Sequence, residues 1–467
     1  MRLGIAMFCS IVLSQTASAA VLHVPADYAT IGLALATATS GDEVLVASGT
    51  YHENLVLNVA QDGILIHSDS GPAVTILDGS SAGTVVTMNS VGSGTELVGF
   101  TITHGSGNLA GGISLVKASP KIQGNVITGN TGEAGGIDVQ GPASPTILDN
   151  EFASNHGTFG GGGFAARTLA KPDVENNYFH DNRADVLGGA AFYSSSGGLF
   201  INNRVVSNTS GHDGGGIYTE AQSSPSIRQC VFQSNTAGSI GGGLNLGFGS
   251  ILVQDCQILS NTGYVAGGIY VDAGQPEIHR NVVADNSTVN GSGGGIYVDR
   301  GSNAILDDNV VARNHAVAGF GGGIEVGGSS AHLRNNTVVL NKSDLPGGNL
   351  YIISASVQVQ RCILSHSPGD GMRVDGSSSV TVTCTDAFGN AGGNYTGLPD
   401  PTGGNGNISK DPLFCDLASL DVHLTSTSPC TPALAAPCNL IGALDVGCTG
   451  PVRVQPATWG SIKAFYR

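Results

Sequence analysis

Charge is scarce in this sequence. Asp, Glu, Lys and Arg make up 12% of its 467 residues, about half the usual share. The shortage falls hardest on basic residues, with 19 Lys and Arg against 35 Asp and Glu. The basic residues are scattered singly, so the basic stripe of a nucleic-acid binder is missing. There is one Trp, and aromatics are 6% of the chain. No segment after the first twenty residues holds 18 consecutive apolar residues, which excludes a membrane-spanning helix from sequence. No His-x-x-x-His or Cys-x-x-Cys occurs, which argues against zinc. The phosphate loop is missing too, because the glycine runs lack a following Lys-Ser/Thr and open strands, not helices. Helical periodicity is confined to one short stretch.

What is abundant is glycine, with 71 residues. Each Gly inside a helix costs about 1 kcal/mol relative to Ala, which disfavours helix-rich folds. Gly and Pro together reach roughly 19% of the chain, below the roughly 25–30% of low-complexity disorder. Glycine does not fall at every third position, so the chain is not collagen.

The glycines are phased. A Gly-Gly-apolar signal places its apolar residue at Ile113, Ile137, Phe164, Ala191, Ile217, Leu244, Ile269, Ile296, Ile324 and Leu350. The period is about 26 residues, in the range of solenoid repeats. An Asn-x4-Asn signal keeps step. Its second asparagines are Asn130, Asn155, Asn182, Asn208, Asn235, Asn261, Asn286, Asn314 and Asn341. Cysteine replaces the first asparagine at Cys230, Cys256 and Cys362. Between the signals lie short alternating segments such as Ile269-Tyr-Val-Asp, which read as strands. Two or three such strands cannot bury their own apolar face. Stacked at about 4.8 Å per coil, they build a continuous core and pair each backbone edge. The fold class expected is all-β: a right-handed parallel β-helix of roughly a dozen coils. The asparagines are expected as a stacked amide ladder in inward-facing turns, and the glycines as turn residues with positive φ.

The expected organisation has five parts. Residues 1–19 read as a signal peptide, with Arg2, the apolar run Leu3–Leu13 and Ala17-Ser-Ala19 before the cut. Residues 20–105 form an N-terminal cap and irregular first coils, with a short helix over Thr30–Thr39 covering the solenoid end. Residues 106–370 hold the regular repeats. Residues 371–450 form C-terminal loops and a cysteine-rich cap, and 451–467 a tail whose reading as a sorting or anchoring signal stays open. The chain is therefore expected outside the cytoplasm or at the cell-envelope surface, as a monomer. Export suits disulfides. The candidates are Cys230, Cys256, Cys384, Cys415, Cys430, Cys438 and Cys448. Cys230 and Cys256 occupy one ladder position in adjacent coils, where the spacing permits a bond. Two buried thiols are the alternative.

These residues carry a resemblance. Gly-Gly-Gly-Ile, with Phe-x-x-Asn at Phe152–Asn155, Phe179–Asn182 and Phe232–Asn235, resembles the polymorphic outer-membrane protein repeat. The pattern from Tyr28 to Glu53 is similar to the opening of pectin-lyase-like β-helix proteins. The resemblance covers about residues 24–370. It implies a β-helix at an envelope or outside the cell. Polymorphic outer-membrane proteins end in a membrane barrel, and no room for one follows residue 370.

The constellations of pectin methylesterases, polygalacturonases and pectate lyases are absent. Gly211-His212-Asp213 and Ser461-Ile-Lys463 echo two of them faintly, and the pair His212-Asp213 reads better as a solvated turn. Gly79-Ser-Ser-Ala-Gly83 is followed by a strand-like segment, so it is no nucleophile elbow. One surface feature remains. Strand alternation turns Tyr218, Asn245, Tyr270, Tyr297, Glu325 and Tyr351 outward, with Glu220, Asp272 and Asp299 two residues after Tyr218, Tyr270 and Tyr297. Sugar rings stack on aromatic faces and carboxylates accept hydroxyl hydrogens. Asp272 and Asp299 are expected about 4.8 Å apart, near the roughly 5–5.5 Å of retaining glycosidases, with one of them protonated or with Arg300 or a calcium ion between them. The bland alternative is that tyrosines are good strand residues and that Asp at a strand end is ordinary. The expectation is a secreted or surface-displayed, non-enzymatic protein of adhesion or glycan binding. Its partner would be an extracellular polysaccharide or a host or neighbouring cell surface, without nucleic acid. No cofactor is expected, calcium being the one left open. The alternative is a polysaccharide lyase or glycoside hydrolase. An enzyme calls for a walled groove, and a display protein for a flat face with short uniform turns.

Overall fold

A computed structural model describes residues 19–449. Nearly all of the expected signal peptide and the tail 451–467 lie outside the described residues. The chain forms the expected parallel β-solenoid. Each regular coil visits four positions. Starting from the coil of Ile137, these are Ile137–Gln140, Thr146–Leu148, Glu151–Ala153 and His156–Gly157. The equivalent strands of successive coils pair in parallel and build four sheets, here called front, back, side and rim, of 14, 15, 14 and 9 strands. The coil count is therefore higher than a dozen. Coils whose repeat is degenerate still pair in register, as Leu65–Ser68 does with Glu43–Val46. The solenoid also runs past residue 370, through Met372–Asp375 and Ser379–Thr383 to Tyr395–Thr396.

The core is one column of inward side chains. Phe152 and Phe179 stack at 4.3 Å, and Ile137, Phe164, Ile217, Ile269 and Ile324 are fully buried. Polar ladders flank the apolar column. Asn130, Asn155, Asn182, Asn208, Asn235, Asn261, Asn286, Asn314 and Asn341 are buried at the turn from side to rim. Each Oδ1 from Asn155 to Asn341 accepts from the backbone N–H and Nδ2 of the asparagine one coil earlier, as Asn208 does from Asn182 at 3.0 and 2.9 Å. Nδ2 also donates to a carbonyl one coil back, as from Asn208 to Phe179. A second ladder at the back-to-side turn joins Asn125, Asn150, Asn177 and Asn203. Cys230 and Cys256 continue it, followed by Asn281, Asn309 and Asn336.

The turn chemistry meets expectation in part: glycines such as Gly214, Gly241 and Gly321 hold positive φ just before the Gly-Gly pairs. The left-handed residue beside each ladder is seldom glycine. It is the residue just before the asparagine, such as Ser207, Asp285 or Arg313, held there although a non-glycine residue in this conformation costs about 1–2 kcal/mol. The Gly-Gly pairs are needed for closeness instead. A Cβ on Gly189 would collide with the carbonyl oxygen of Gly215 in the next coil.

The ends are capped as the sequence suggests, with different detail. A helix, α1 (Ile31–Thr37), is capped by the Thr30 hydroxyl and buries Ile31, Ala34 and Leu35. Glu53 accepts hydrogen bonds from the first-turn N–H groups of Ile31 and Gly32. At the other end the chain doubles back over the outer face of the side sheet. There Val422, Phe414 and Leu420 pack on Val310, Ala312 and Val339. Disulfides Cys384–Cys438 and Cys415–Cys448 tie this segment down. Three of the disulfide candidates are unbonded. Cys230 and Cys256 are buried thiols within the asparagine ladder, and Cys430 is a buried thiol that donates to Asp386. The ladder explains the first two: each thiol hydrogen is engaged by a carbonyl, Phe200 or Arg228 for Cys230 and Gln254 for Cys256.

Candidate functional site

The outer face of the front sheet holds the sequence-predicted residues. Register pairs Tyr218 with Asn245, Asn245 with Tyr270, Tyr270 with Tyr297, and Tyr297 with Glu325. Asp272 pairs with Asp299 one coil on. These side chains turn away from the core, but the face is not flat or open. Between the second asparagine and the Gly-Gly pair the chain makes the rim strand and folds back over the column. A left-handed glycine comes down onto the outward residue: a Cβ on Gly214 would lie 2.7 Å from the Tyr218 Cβ, and one on Gly321 2.6 Å from the Glu325 Cβ. The rim is thus a wall along one side of the front sheet. It leaves Tyr270 2%, Asp272 7%, Asn245 2% and Glu325 3% exposed. Tyr218, Glu220, Tyr297 and Asp299 remain half-buried. The expected strip is outward-facing as strand alternation predicts, but the wall covers Tyr270 and Asp272 and leaves Tyr218, Glu220, Tyr297 and Asp299 partly in solvent.

The strip has two chemically different halves. Toward the N-terminus it is sealed. Phe192 packs on Ala165, Leu187 and Ala134, with Phe159 edge-on at 5.8 Å and the Arg167 guanidinium 5.5 Å from its ring centre. Asp138 is buried against Arg167 Nε at 3.2 Å, and Arg167 also reaches Glu133. Burial lifts the Asp138 carboxyl to about 6 despite that guanidinium.

Toward the C-terminus the strip is polar and, like Asp138 in the sealed half, leaves buried acceptors without a hydrogen bond. Asp272 Oδ2 accepts from Arg300 Nη1 at 2.9 Å, and Asp299 Oδ2 accepts from the Tyr270 hydroxyl at 2.9 Å. The two carboxylates predicted as neighbours therefore have separate partners, and the balancing cation at Asp272 is Arg300. Three buried acceptors have no hydrogen-bond partner: Asn245 Oδ1, Asp272 Oδ1 and Glu325 Oε2. Burial pushes the Glu325 carboxyl up to about 7, only partly offset by hydrogen bonds from Ser292 and Tyr297. Burial raises Asp272 as well, against the pull of Arg300. The Tyr218 hydroxyl is pushed up to about 12 by burial, with Glu220 and Asp213 adding to it. Tyr351 continues the strip, donating to Asp375 at 3.1 Å. Among the described residues no group of three or more His, Cys, Asp or Glu is placed to hold a metal ion. No helix among them is long and apolar enough to cross a membrane.

Sequence reasoning placed Glu325 and Asn245 in the outward column but not among the site residues. Their signal was simply a polar residue in a tyrosine column. What raised them to interest is the wall, which alternation does not encode.

Several solved structures are similar to the chain. The periplasmic alginate epimerase AlgG is 12% identical with a TM-score of 0.33, over 73% of this chain and 77% of that one. The alginate lyase AlyF-OU02 is 11% identical with a TM-score of 0.44, over 78% and 84%. The Siphovirus 9NA tailspike receptor binding domain is 12% identical with a TM-score of 0.36, over 84% and 78%. No curated protein matches the chain. Residues 43–184, 111–275 and 239–342 match the family described as right handed beta helix region. Together these segments cover more than half of the sequence and coincide with the coils and ladders described above, so the chain belongs to that right-handed β-helix family.

Proposed function

We propose that the polar half of the front strip binds an extracellular polysaccharide, in a protein that is secreted or displayed at a cell surface and acts in adhesion or glycan contact. One observation carries this reading: on the polar half of the strip Tyr218, Glu220, Tyr297 and Asp299 stay half-buried, ring beside carboxylate, with part of their surface in solvent. Ring faces suit sugar contact, and carboxylates accept hydroxyl hydrogens. The two pairs lie three coils apart, so a polymer laid along the solenoid axis would meet the second about 14 Å beyond the first. The two disulfides suit an oxidising compartment.

A second reading is favoured by Glu325. A carboxyl pushed up to about 7 is a proton donor at neutral pH, the property a general acid in glycoside cleavage needs. Binding and cleavage are separated by one pair of measurements. Glycan-array binding is expected for the wild type and lost in Tyr218→Ala/Tyr297→Ala, with no release of reducing ends from any bound polysaccharide. Release of reducing ends by the wild type, abolished by Glu325→Gln alone, would replace binding with hydrolysis.

A further inference from the structure

Unlike the front sheet, the back sheet keeps its outward side chains in solvent toward the C-terminal end. Its strands lengthen there too. Leu252–Gln254 and Glu277–His279 have three residues each, whereas Asn303–Asp307, Ser330–Arg334, Ser356–Gln360 and Ser379–Thr383 have five. Two more residues widen the face by about 7 Å and give each strand three outward positions instead of two. Register sets these in columns along the axis: Ile305, His332 and Gln358 in one, Asp307, Arg334 and Gln360 in the next. A cavity of about 310 Å³ lies among them, lined by those six residues and Asn303. Of the seven, Asp307 is buried and the others are exposed, so this cavity is reached from solvent.

We propose that this cavity binds a neutral oligosaccharide, at a site separate from the front strip. Charge selects the ligand class. The chain carries a net charge of −16, but Ser330–Arg334, Ser356–Gln360 and Ser379–Thr383 contain no Asp or Glu. The carboxylate in the lining, Asp307, accepts from Arg334 Nη2 at 2.6 Å, with His279 Nδ1 3.7 Å from the same oxygen. Glu277, one coil before Ile305, is engaged by the other ring nitrogen of His279 at 3.2 Å. Asp307 and Arg334 cancel each other's charge. A uronate would have to draw Arg334 away and leave Asp307 buried and unpaired, and a glycan ammonium would find that carboxylate taken. The other polar groups are the amides of Asn303, Gln358 and Gln360, beside the His332 ring. Amides both donate and accept, as sugar hydroxyls do, so the two match without any charge. The Arg334 side chain is 55% exposed, and its remaining N–H groups can donate to a hydroxyl with the Asp307 pair intact. Ile305, 36% exposed, gives the C–H face of a sugar ring an apolar contact.

The test uses the full chain and calorimetry with neutral hexamers of glucose, mannose, galactose and xylose. A guluronate and a glucosamine hexamer are the charged arms. At least one neutral hexamer is expected to bind, with an affinity that stays within about twofold as salt is raised, and neither charged hexamer should bind more tightly. Gln358→Ala/Gln360→Ala changes two exposed residues. It should leave the denaturation midpoint in place and weaken binding about tenfold or more. Tyr218→Ala/Tyr297→Ala, which strips the front strip, should leave that affinity unchanged. Binding lost in the tyrosine variant and kept in the glutamine variant assigns the glycan to the front strip and overturns the back site. Tighter binding of either charged hexamer overturns the charge argument and the ligand class with it. Binding of no neutral hexamer overturns the back site, and the front strip then stands or falls on its own array.

Discussion

The inside and the outside of the solenoid both bury polar side chains, and they do so in opposite ways. At the side-to-rim turn each asparagine amide is fully used. Asn208 accepts twice from Asn182 and donates to Phe179, Val206 and Asn235. On the outer face of the front sheet, Asn245, Asp272 and Glu325 keep acceptor oxygens with no donor. The inner ladder repeats one residue type with one geometry, so each coil supplies what its neighbour needs. The outer strip changes residue from coil to coil, and a neighbour supplies a partner only at some places, as Arg300 does for Asp272 and Tyr270 for Asp299. Buried polar groups that satisfy one another specify structure.

The sharpest break of this contrast is on the inside. Asn208→Ala removes five hydrogen bonds and leaves the Phe179 carbonyl and the Asn182 amide buried without partners. It is expected to cost about 4 kcal/mol, read as a lower denaturation midpoint. An unchanged midpoint would mean the ladder is decoration. The wall comes next. Gly321 has φ +60 and sits on the Glu325 Cβ. Gly321→Ala adds a clash and a strained backbone, together about 3 kcal/mol. Because it lifts the wall from the strip, it should also bring the Glu325 carboxyl down toward the ordinary range, visible by NMR titration. Loss of stability with no change in that titration would show that the wall does not cause the burial.

The two regions were unequally legible in the sequence, for one reason. The inner ladder is a repeat, so Asn130 to Asn341 announce themselves by period. The outward direction of Tyr270, Asp272 and Glu325 was equally legible from alternation. Their burial was not, because it depends on a loop whose composition changes from coil to coil and whose length is constant in some coils and not in others: Thr-Gly-Glu-Ala after Asn130, Ser-Thr-Val-Asn-Gly-Ser-Gly after Asn286. In several of them the close approach is made by a glycine such as Gly214 or Gly321 onto a side chain four residues later, while Ala266 holds that left-handed place in the coil of Tyr270. A Gly-Gly-Gly run shows that small residues are needed but not which of them faces the next coil and which faces the strip. Cys230 and Cys256 misled in a related way. Adjacent ladder sites put two cysteines at bonding range, but thiols that already bond to carbonyls fill the asparagine's place without an oxidation step.

The outer strip should also set the pH dependence of stability. Glu325 has its carboxyl raised to about 7, Asp138 to about 6, and Asp386, under the C-terminal segment, to about 7, each mainly by burial. A carboxyl raised in the folded state holds its proton where the unfolded chain has lost it. Its stabilising contribution is full below the unfolded value, near 4.5 for Glu, and is lost as pH rises through the folded value near 7. The protein is therefore expected to be more stable near pH 5 than near pH 8, roughly the reverse of the trend that paired carboxylates give. Glu325→Gln should gain about 2 kcal/mol over the wild type near pH 8 and match it near pH 4. The same gain at both pH values would assign the effect to packing and not to ionisation.

The smallest effect is the most direct comparison, because it turns one region's chemistry on the other's rule. Cys230 and Cys256 are the inner ladder's weak links: the Cys230 N–H reaches Cys256 Sγ at 3.4 Å, where the Cys256 N–H reaches Asn281 Oδ1 at 2.9 Å. A thiol is a weak acceptor and offers one poor donor, against the two donors and two lone pairs of an amide. Cys230→Asn/Cys256→Asn would run the amide ladder unbroken from Asn203 to Asn281. The gain expected is about 1 kcal/mol, the net worth of an ordinary intramolecular hydrogen bond, read as a raised midpoint in reducing and non-reducing buffer alike. Placing asparagine at Glu325 instead should give no comparable gain, since the adjacent coils hold Tyr297 and Tyr351 there and neither continues an amide ladder. A stability loss in the double cysteine variant would show that the thiols fit their turns better than the amides do, and that satisfaction of polar groups is not what separates the inner ladder from the outer strip.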